Sequence, residues 1–284
     1  MPICPGDSVK KLASAIVIAA LVSSACATRH EPADTRVVAT DRELESCIAK
    51  LGNMDPSHSG ALDSAGISLV NWNIQKGHKP DWIADLAAFS DNPHLMVFQE
   101  AALDAEAWKA VGSEHYRSFA PGYKTSRSLT GLMTLSTVEP LAQCNLVSVE
   151  PWLRSPKATL VTEYALTDTD KTLLVVNIHA INFTFGTRRF KEQVNIALAV
   201  VDDHDGPVLM SGDFNTWHWR QSAVLQEMTE ERGFKVLSFD NDHRTRAFGQ
   251  VLDYIFVRDL QVLDSSTADY SSSDHNPMYV RFSL

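Results

Sequence analysis

The stretch Pro207-Val208-Leu209-Met210-Ser211-Gly212-Asp213-Phe214-Asn215 constrains this chain more than any other. A short apolar run ends at Gly212 and then presents an acid and an amide two residues apart. Four to five apolar residues bounded by turn formers spell a buried strand. Alternate side chains of an extended segment point the same way, so Asp213 and Asn215 converge at the strand's carboxyl end. A carboxylate, which only accepts hydrogen bonds, beside an amide that donates and accepts suits holding a water and a phosphoryl oxygen together. A polar turn after a core strand is the plainer account of the same residues, and the rest of the chain must decide between them.

The 284 residues are 44% hydrophobic and 21% charged, enough for one large globular domain or two small ones. No internal repeat or low-complexity tract stands out. The formal net charge is -10, so the chain attracts no polyanion over long range. DNA binding then needs a local basic face or metal ions. Phosphate chemistry remains open, because a divalent cation supplies the positive charge that the protein lacks.

At the amino terminus, Lys10 and Lys11 precede an apolar run from Leu12 to Val22 and then Ser23-Ser24-Ala25-Cys26. A basic flank, a short apolar core and small residues make a secretory signal over 1–26, too short to span a bilayer comfortably. The small residues before Cys26 resemble a bacterial lipoprotein signal, which places a lipid on Cys26 and the protein at a membrane surface. That pattern usually has Leu three residues before the Cys, where this chain has Ser23, so simple cleavage and release stay open. Residues 27–65 read as a tether and one amphipathic helix, whose start is a capping box, Thr40-Asp41-Arg42-Glu43. Cys47 and Cys144 form one disulfide or stay as two buried thiols; the sequence does not choose.

The catalytic domain is expected over 66–284. Apolar runs there repeatedly end in a polar side chain: Ile67 to Ile74 carries Asn73, Leu95-Met96-Val97-Phe98 runs into Gln99-Glu100, and Leu173 to Ile178 delivers His179. Hard divalent ions prefer oxygen ligands such as Glu100. Lys124, Arg127 and Arg188 are the candidate phosphate-binding cations, Arg188 because a cation is disfavoured at the start of the helix predicted over 187–201. Asp253 sits inside the apolar run Val251 to Val257 and needs a partner, since an unpaired buried carboxylate is costly. Ser273-Asp274-His275 supplies one: a carboxylate on one imidazole nitrogen fixes the tautomer and raises the basicity of the other.

Asn73, Glu100, His179, Asp213-x-Asn215, Asp253-Tyr254 and Ser273-Asp274-His275 stand in the order and rough spacing of one group. From about Gly66 to Leu284 the chain resembles the endonuclease/exonuclease/phosphatase superfamily, which includes deoxyribonuclease I, exonuclease III and neutral sphingomyelinases. The resemblance implies an α/β fold, a four-layer α/β/β/α sandwich of two packed mixed β-sheets with outer helices. It implies a metal-dependent phosphoric ester hydrolase. Glu100 and Asn73 would hold Mg²⁺ or Mn²⁺, with Asp274 as an additional metal or charge-tuning residue. Asp213 and Asn215 would orient the water and phosphate. His275, held by Asp253, would be the base or a phosphate-stabilising imidazole. His179 stands where the deoxyribonuclease I and sphingomyelinase branches carry His, so two histidines are expected to divide acid and base work. The expectation is an exported phosphoesterase acting on a phosphate ester. An extracellular nuclease, with nucleic acid as substrate, and a lipid-anchored binding protein with a vestigial site are the alternatives. Oligomeric state carries no signal in the sequence.

Overall fold

The computed structural model describes residues 38–52, 60–79, 81–103, 107–111, 113–124, 126, 128–151, 153–182, 184 and 186–284. The signal segment, Cys26 and most of the tether lie outside the described residues, as does Arg127. Thr40 caps α1 (Asp41–Ile48) with the reciprocal Thr40–Glu43 bonds expected of the capping box. Then follow β1 (Ile67–Asn73), a 3-10 turn at Gln75–Gly77, α2 (Trp82–Phe89), β2 (Leu95–Ala102), the short α3 (Ala107–Ala110), β3 (Tyr116–Lys124) and β4 (Leu129–Ser136). Next come β5 (Ala142–Val149), β6 (Pro156–Ala165), β7 (Thr172–His179), α4 (Arg188–Asp202), β8 (Val208–Asp213) and α5 (Trp219–Glu230). The chain ends with β9 (Lys235–Val236), β10 (Arg246–Ala247), β11 (Gln250–Val251), β12 (Asp253–Arg258), β13 (Gln261–Thr267) and β14 (Met278–Ser283).

These strands form two mixed six-stranded sheets. Sheet I has the order β13-β14-β1-β2-β4-β3, and sheet II the order β5-β6-β7-β8-β12-β9. Each contains one parallel pair, β1–β2 and β7–β8, whose crossovers carry α2 and α4. The sequence pattern predicts neither β3 nor β13, and these are the two edges of sheet I. Edge strands bury less and need no continuous apolar run. Among the described residues no helix is long and apolar enough to cross a membrane.

Period-two alternation explains the layers. Leu69, Leu95, Leu173, Val175, Leu209 and Ile255 pack between the sheets. Their neighbours Leu174, Val176 and Met210 face outward beneath α4 and α5, and Val70, Trp72 and Phe98 pack outward against Trp82 of α2. Both faces of the central strands are therefore apolar. The expected four-layer sandwich is what the chain forms. Cys47 and Cys144 are bonded, with Cα atoms 5.3 Å apart across 97 residues of sequence. The bridge pins α1 to β5, and a loop of that length is worth about 5 kcal/mol in the chain-entropy model.

Along the inward-facing positions, hydrocarbon gives way to uncharged polar groups and then to the side chains of the site: Leu69, Asn71, Asn73 on β1; Val175, Asn177, His179 on β7; Leu209, Ser211, Asp213 on β8. Gln99 Nε2 donates to Asn71 Oδ1 at 3.0 Å and to Asn177 Oδ1 at 2.8 Å, stitching the two sheets together below the polar end.

Candidate active site

The site lies at that end of the inter-sheet space. Asp253 and Asp213 are direct register partners in the antiparallel β8–β12 pair, so two buried carboxylates face one another. Like charges so placed need a cation between them. His275 provides it. Its Nδ1 lies 2.8 Å from Asp253 Oδ2, and its Nε2 lies 3.8 Å from Asp213 Oδ2. The loop before β14 holds the ring in place: Trp72 Nε1 donates to the His275 carbonyl at 2.7 Å, and Ser273 Oγ donates to the Asn73 carbonyl at 2.7 Å. The Asp253–His275 pairing expected from the sequence is thus formed.

Asp213 is the hub. Asn73 Nδ2 donates to its Oδ2 at 3.0 Å, and the Asn215 backbone N–H donates to its Oδ1 at 2.9 Å. Asn215 reaches this position with φ +51° and donates its side-chain amide to the Ala180 carbonyl at 3.1 Å. Gly212 makes the approach to β7 feasible, because a Cβ there would sit 1.9 Å from the Ile178 carbonyl oxygen. Burial raises the Asp213 carboxyl to about 6, with His275 pulling it down and Asp253 pushing it up. Burial alone would lower the His275 imidazole, but Asp253 and Asp213 outweigh it and lift the ring to about 10. The two aspartates thus favour the imidazolium form of His275, and burial favours the protonated form of Asp213.

His179 is different. Burial and the Lys157 charge hold it well below the usual histidine range. Lys157 Nζ lies 2.6 Å from His179 Nε2. An ammonium only donates, so Nε2 accepts and the ring is neutral, with its proton on Nδ1. The 3.4 Å approach of the same Nε2 to Asp213 Oδ2 is accordingly not an ion pair. The two histidines thus stand in unlike surroundings, His179 between Lys157 and Asp213 and His275 between two aspartates.

Glu100 sits at a β-bulge, where the β2–β4 register shifts between Phe98 and Ala101. Its φ of +54° turns the side chain into the cleft, a conformation that costs a non-glycine residue about 1–2 kcal/mol. Lys76 Nζ rests 3.3 Å from Glu100 Oε2. Asp274 accepts from Gln75 Nε2 at 2.9 Å. Glu100, Asn73 and Asp274 offer the hard oxygens that Mg²⁺ or Mn²⁺ takes, and a half-exposed ammonium already marks the carboxylate as a cation position. In chemical kind the three suit such an ion, and Asn73 Oδ1 also accepts from the Gln75 N–H at 3.1 Å. Asp213, Asp253 and His275 also place one potential ligand atom each within 4.8 Å of one another. There His275 Nδ1 is engaged by Asp253 Oδ2 at 2.8 Å.

The candidate phosphate cations fare unevenly. Arg188 points to solvent, 3.7 Å from Glu192 one turn along α4, and is not brought to the cluster; Glu192 also answers Arg189. Glu192, rather than a ligand, meets the cations at this helix start. Lys124 is exposed at the end of β3. Lys76 and Lys157 are the lysines that flank the site, on a cleft of about 340 Å³ also lined by Tyr123, Leu132, Leu153 and His179. Sequence reasoning passed over both, because a lysine beside a strand end looks like any solvated cation. The one available signal for Lys157 was its place at the mouth of the strand that pairs with the one delivering His179.

Two mixed sheets packed face to face, with an acid–imidazole cluster where the inter-sheet space opens, define the class of fold that phosphoesterases and nucleases share. The chain belongs to the Endonuclease/Exonuclease/phosphatase family, whose profile matches residues 70–275. A UPF0294 protein of Vibrio campbellii (strain ATCC BAA-1116) is 36% identical over 226 residues, covering 78% of this chain and 80% of that protein. The fold is similar to that of an endonuclease/exonuclease/phosphatase from Beutenbergia cavernae DSM 12333, with TM-score 0.61, 16% identity and coverage of 78% of this chain and 72% of the other. It is also similar to ANGEL2, a 2',3'-cyclic phosphatase, with TM-score 0.62, 14% identity and coverage of 82% and 99%.

Proposed function

We propose that this chain is an exported, divalent-metal-dependent phosphoesterase that hydrolyses a phosphodiester or phosphomonoester by attack of water. The observation that carries the reading is the row Asp213, His275, Asp253: two register-paired buried carboxylates with one imidazole set between them, 2.8 Å from Asp253 Oδ2 and 3.8 Å from Asp213 Oδ2. A general base works best with a pKa close to the operating pH, and burial shifts Asp213 in that direction. Asp213 takes the proton of the attacking water, while Asn215 fixes the carboxylate through its backbone N–H. His275 places positive charge where the phosphoryl oxygens become more negative. Asp253 keeps that charge on the ring. Glu100, Asn73 and Asp274 would hold Mg²⁺ or Mn²⁺, which when bound neutralises phosphoryl charge. Export and attachment through a lipidated Cys26 rest on residues 1–26 alone, and a Cys26→Ser variant that still sediments with membranes would remove the lipid anchor.

The principal alternative is an extracellular nuclease, and a neighbouring fold, TDP2 of D. rerio, was solved with a single-strand DNA product. The net charge of -10 weighs against duplex DNA here. A panel of DNA, RNA, sphingomyelin, sugar phosphates and bis-p-nitrophenyl phosphate, with Mg²⁺, Mn²⁺ or chelator, separates the readings. Metal-dependent turnover that His275→Ala abolishes is the expected result. No turnover of any ester would instead leave a binding protein with a vestigial site.

A further inference from the structure

Consecutive strand ends of sheet II carry Lys157 on β6, His179 on β7, Asp213 on β8 and Asp253 on β12, in that spatial order. With strands about 4.8 Å apart, the row spans three spacings, and Lys157 stands at the end away from Asp253 and its partner His275. Its ammonium is half-buried at the mouth of the cleft and meets a neutral imidazole, His179 Nε2, at 2.6 Å. Among the described residues no carboxylate pairs directly with this ammonium; its hydrogen-bond partner is the imidazole. Its positive charge is felt at Asp213 and His179 alike. The Gln193 side chain holds the other partner still, donating to the His179 carbonyl at 3.2 Å and accepting from the Ile181 N–H at 2.8 Å.

Displacement at phosphorus places the attacking and leaving oxygens on opposite sides. Asp213 and Asn215, which orient the water in the reading above, lie with His275 on one side of His179, and Lys157 lies on the other, so the leaving oxygen departs toward Lys157. We propose that Lys157 is a catalytic residue that protonates the leaving oxygen of the phosphate ester, with His179 as its positioning residue and the adjoining cleft as the seat of the leaving group. The inference rests on the phosphoesterase reading above. In the step, the water oxygen bonds to phosphorus and its proton passes to Asp213. The phosphorus–oxygen bond to the leaving group breaks, its electron pair stays on that oxygen, and a Lys157 N–H proton joins it. Solvent then reprotonates the amine and takes the proton from Asp213. The apolar part of the lining, Tyr123, Leu132 and Leu153, accommodates a compact aryl or short alkyl leaving group.

The test compares methyl p-nitrophenyl phosphate with methyl phenyl phosphate, whose leaving group is the poorer one. Wild type, Lys157→Met, Lys157→Gln and Lys157→Arg are assayed for kcat and KM, with circular dichroism to verify folding. Lys157→Met is expected to lose about 100-fold in kcat on the phenyl ester but about 10-fold or less on the nitrophenyl ester. Lys157→Arg keeps the charge but does not release a proton, so it should stay close to Lys157→Met on the phenyl ester; full recovery by Arg would make the residue a charge stabiliser and overturn the proton-donor role. Equal losses on both esters, or a loss confined to KM, would overturn the proposal. Lys157→Gln, which also lacks the acidic proton, replaces the Met variant in that comparison should the latter not fold. If wild type turns over neither ester nor any member of the wider panel, the phosphoesterase reading itself fails, an outcome distinct from active wild type with a flat leaving-group dependence.

Discussion

The two sheets contribute unlike halves to the same site. Sheet II presents Asp213 and Asp253 at strand ends, buried to within 2% of full and held in direct register. Sheet I presents Glu100 from a bulge, 27% exposed and answered by a lysine that is itself 40% exposed. One half is preorganised at the cost of desolvated charge. The other is open, with a carboxylate whose cation can exchange. The contrast teaches that rigidity is placed where a proton must be held at a fixed atom, and openness where an ion must come and go.

Breaking the buried half should have the largest effect. Asp213→Asn is expected to cut kcat on bis-p-nitrophenyl phosphate by about 10³-fold or more, with little change in KM, because it removes the base. A variant retaining a tenth of wild-type turnover would take the base role from Asp213. Glu100→Gln, on the open half, should reduce kcat/KM by roughly 10²-fold at limiting Mg²⁺ and weaken Mn²⁺ binding in calorimetry. Unchanged metal affinity would move the ion away from Glu100.

The buried half also predicts how stability changes with pH. His275 has its folded pKa raised from 6.5 to about 10, so its stabilisation is full below 6.5 and is lost as pH rises through about 10. Asp213, raised to about 6, instead costs stability as it ionises between about 4 and 6, which is complete before that window opens. Chelated protein should therefore melt roughly 5 °C or more lower at pH 10 than at pH 7. Asp253→Asn should shrink that difference. An identical decline in wild type and variant would mean that His275 does not hold its proton through Asp253.

The smallest effect belongs to the exposed pair. Lys76→Ala removes a competing cation from Glu100 and should tighten Mg²⁺ binding by only about two- to five-fold, since such a screened pair is worth no more than about 1 kcal/mol. Weaker binding in this variant would instead make Lys76 a support for the carboxylate.

Local chemistry alone wrote a large part of this molecule into the sequence. Apolar runs closed by Asn73, Glu100, His179 and Asp213 mark strands because burial of alternating faces and the exit of a polar group at a strand's end are properties of neighbouring residues. The capping box at Thr40 and the apolar face of α4 are local in the same sense. The tertiary structure decided what depends on distant partners. The edge strands β3 and β13 exist because β4 and β14 offer them hydrogen bonds, not because their own side chains demand burial. The bulge at Glu100 has no glycine to announce it. Which protonation states His179 and His275 hold was equally hidden, since the same imidazole becomes neutral beside Lys157 and charged between two aspartates. A pKa is set by the field of every neighbour in space, and the order of residues along the chain says nothing of that field until the sheets have packed.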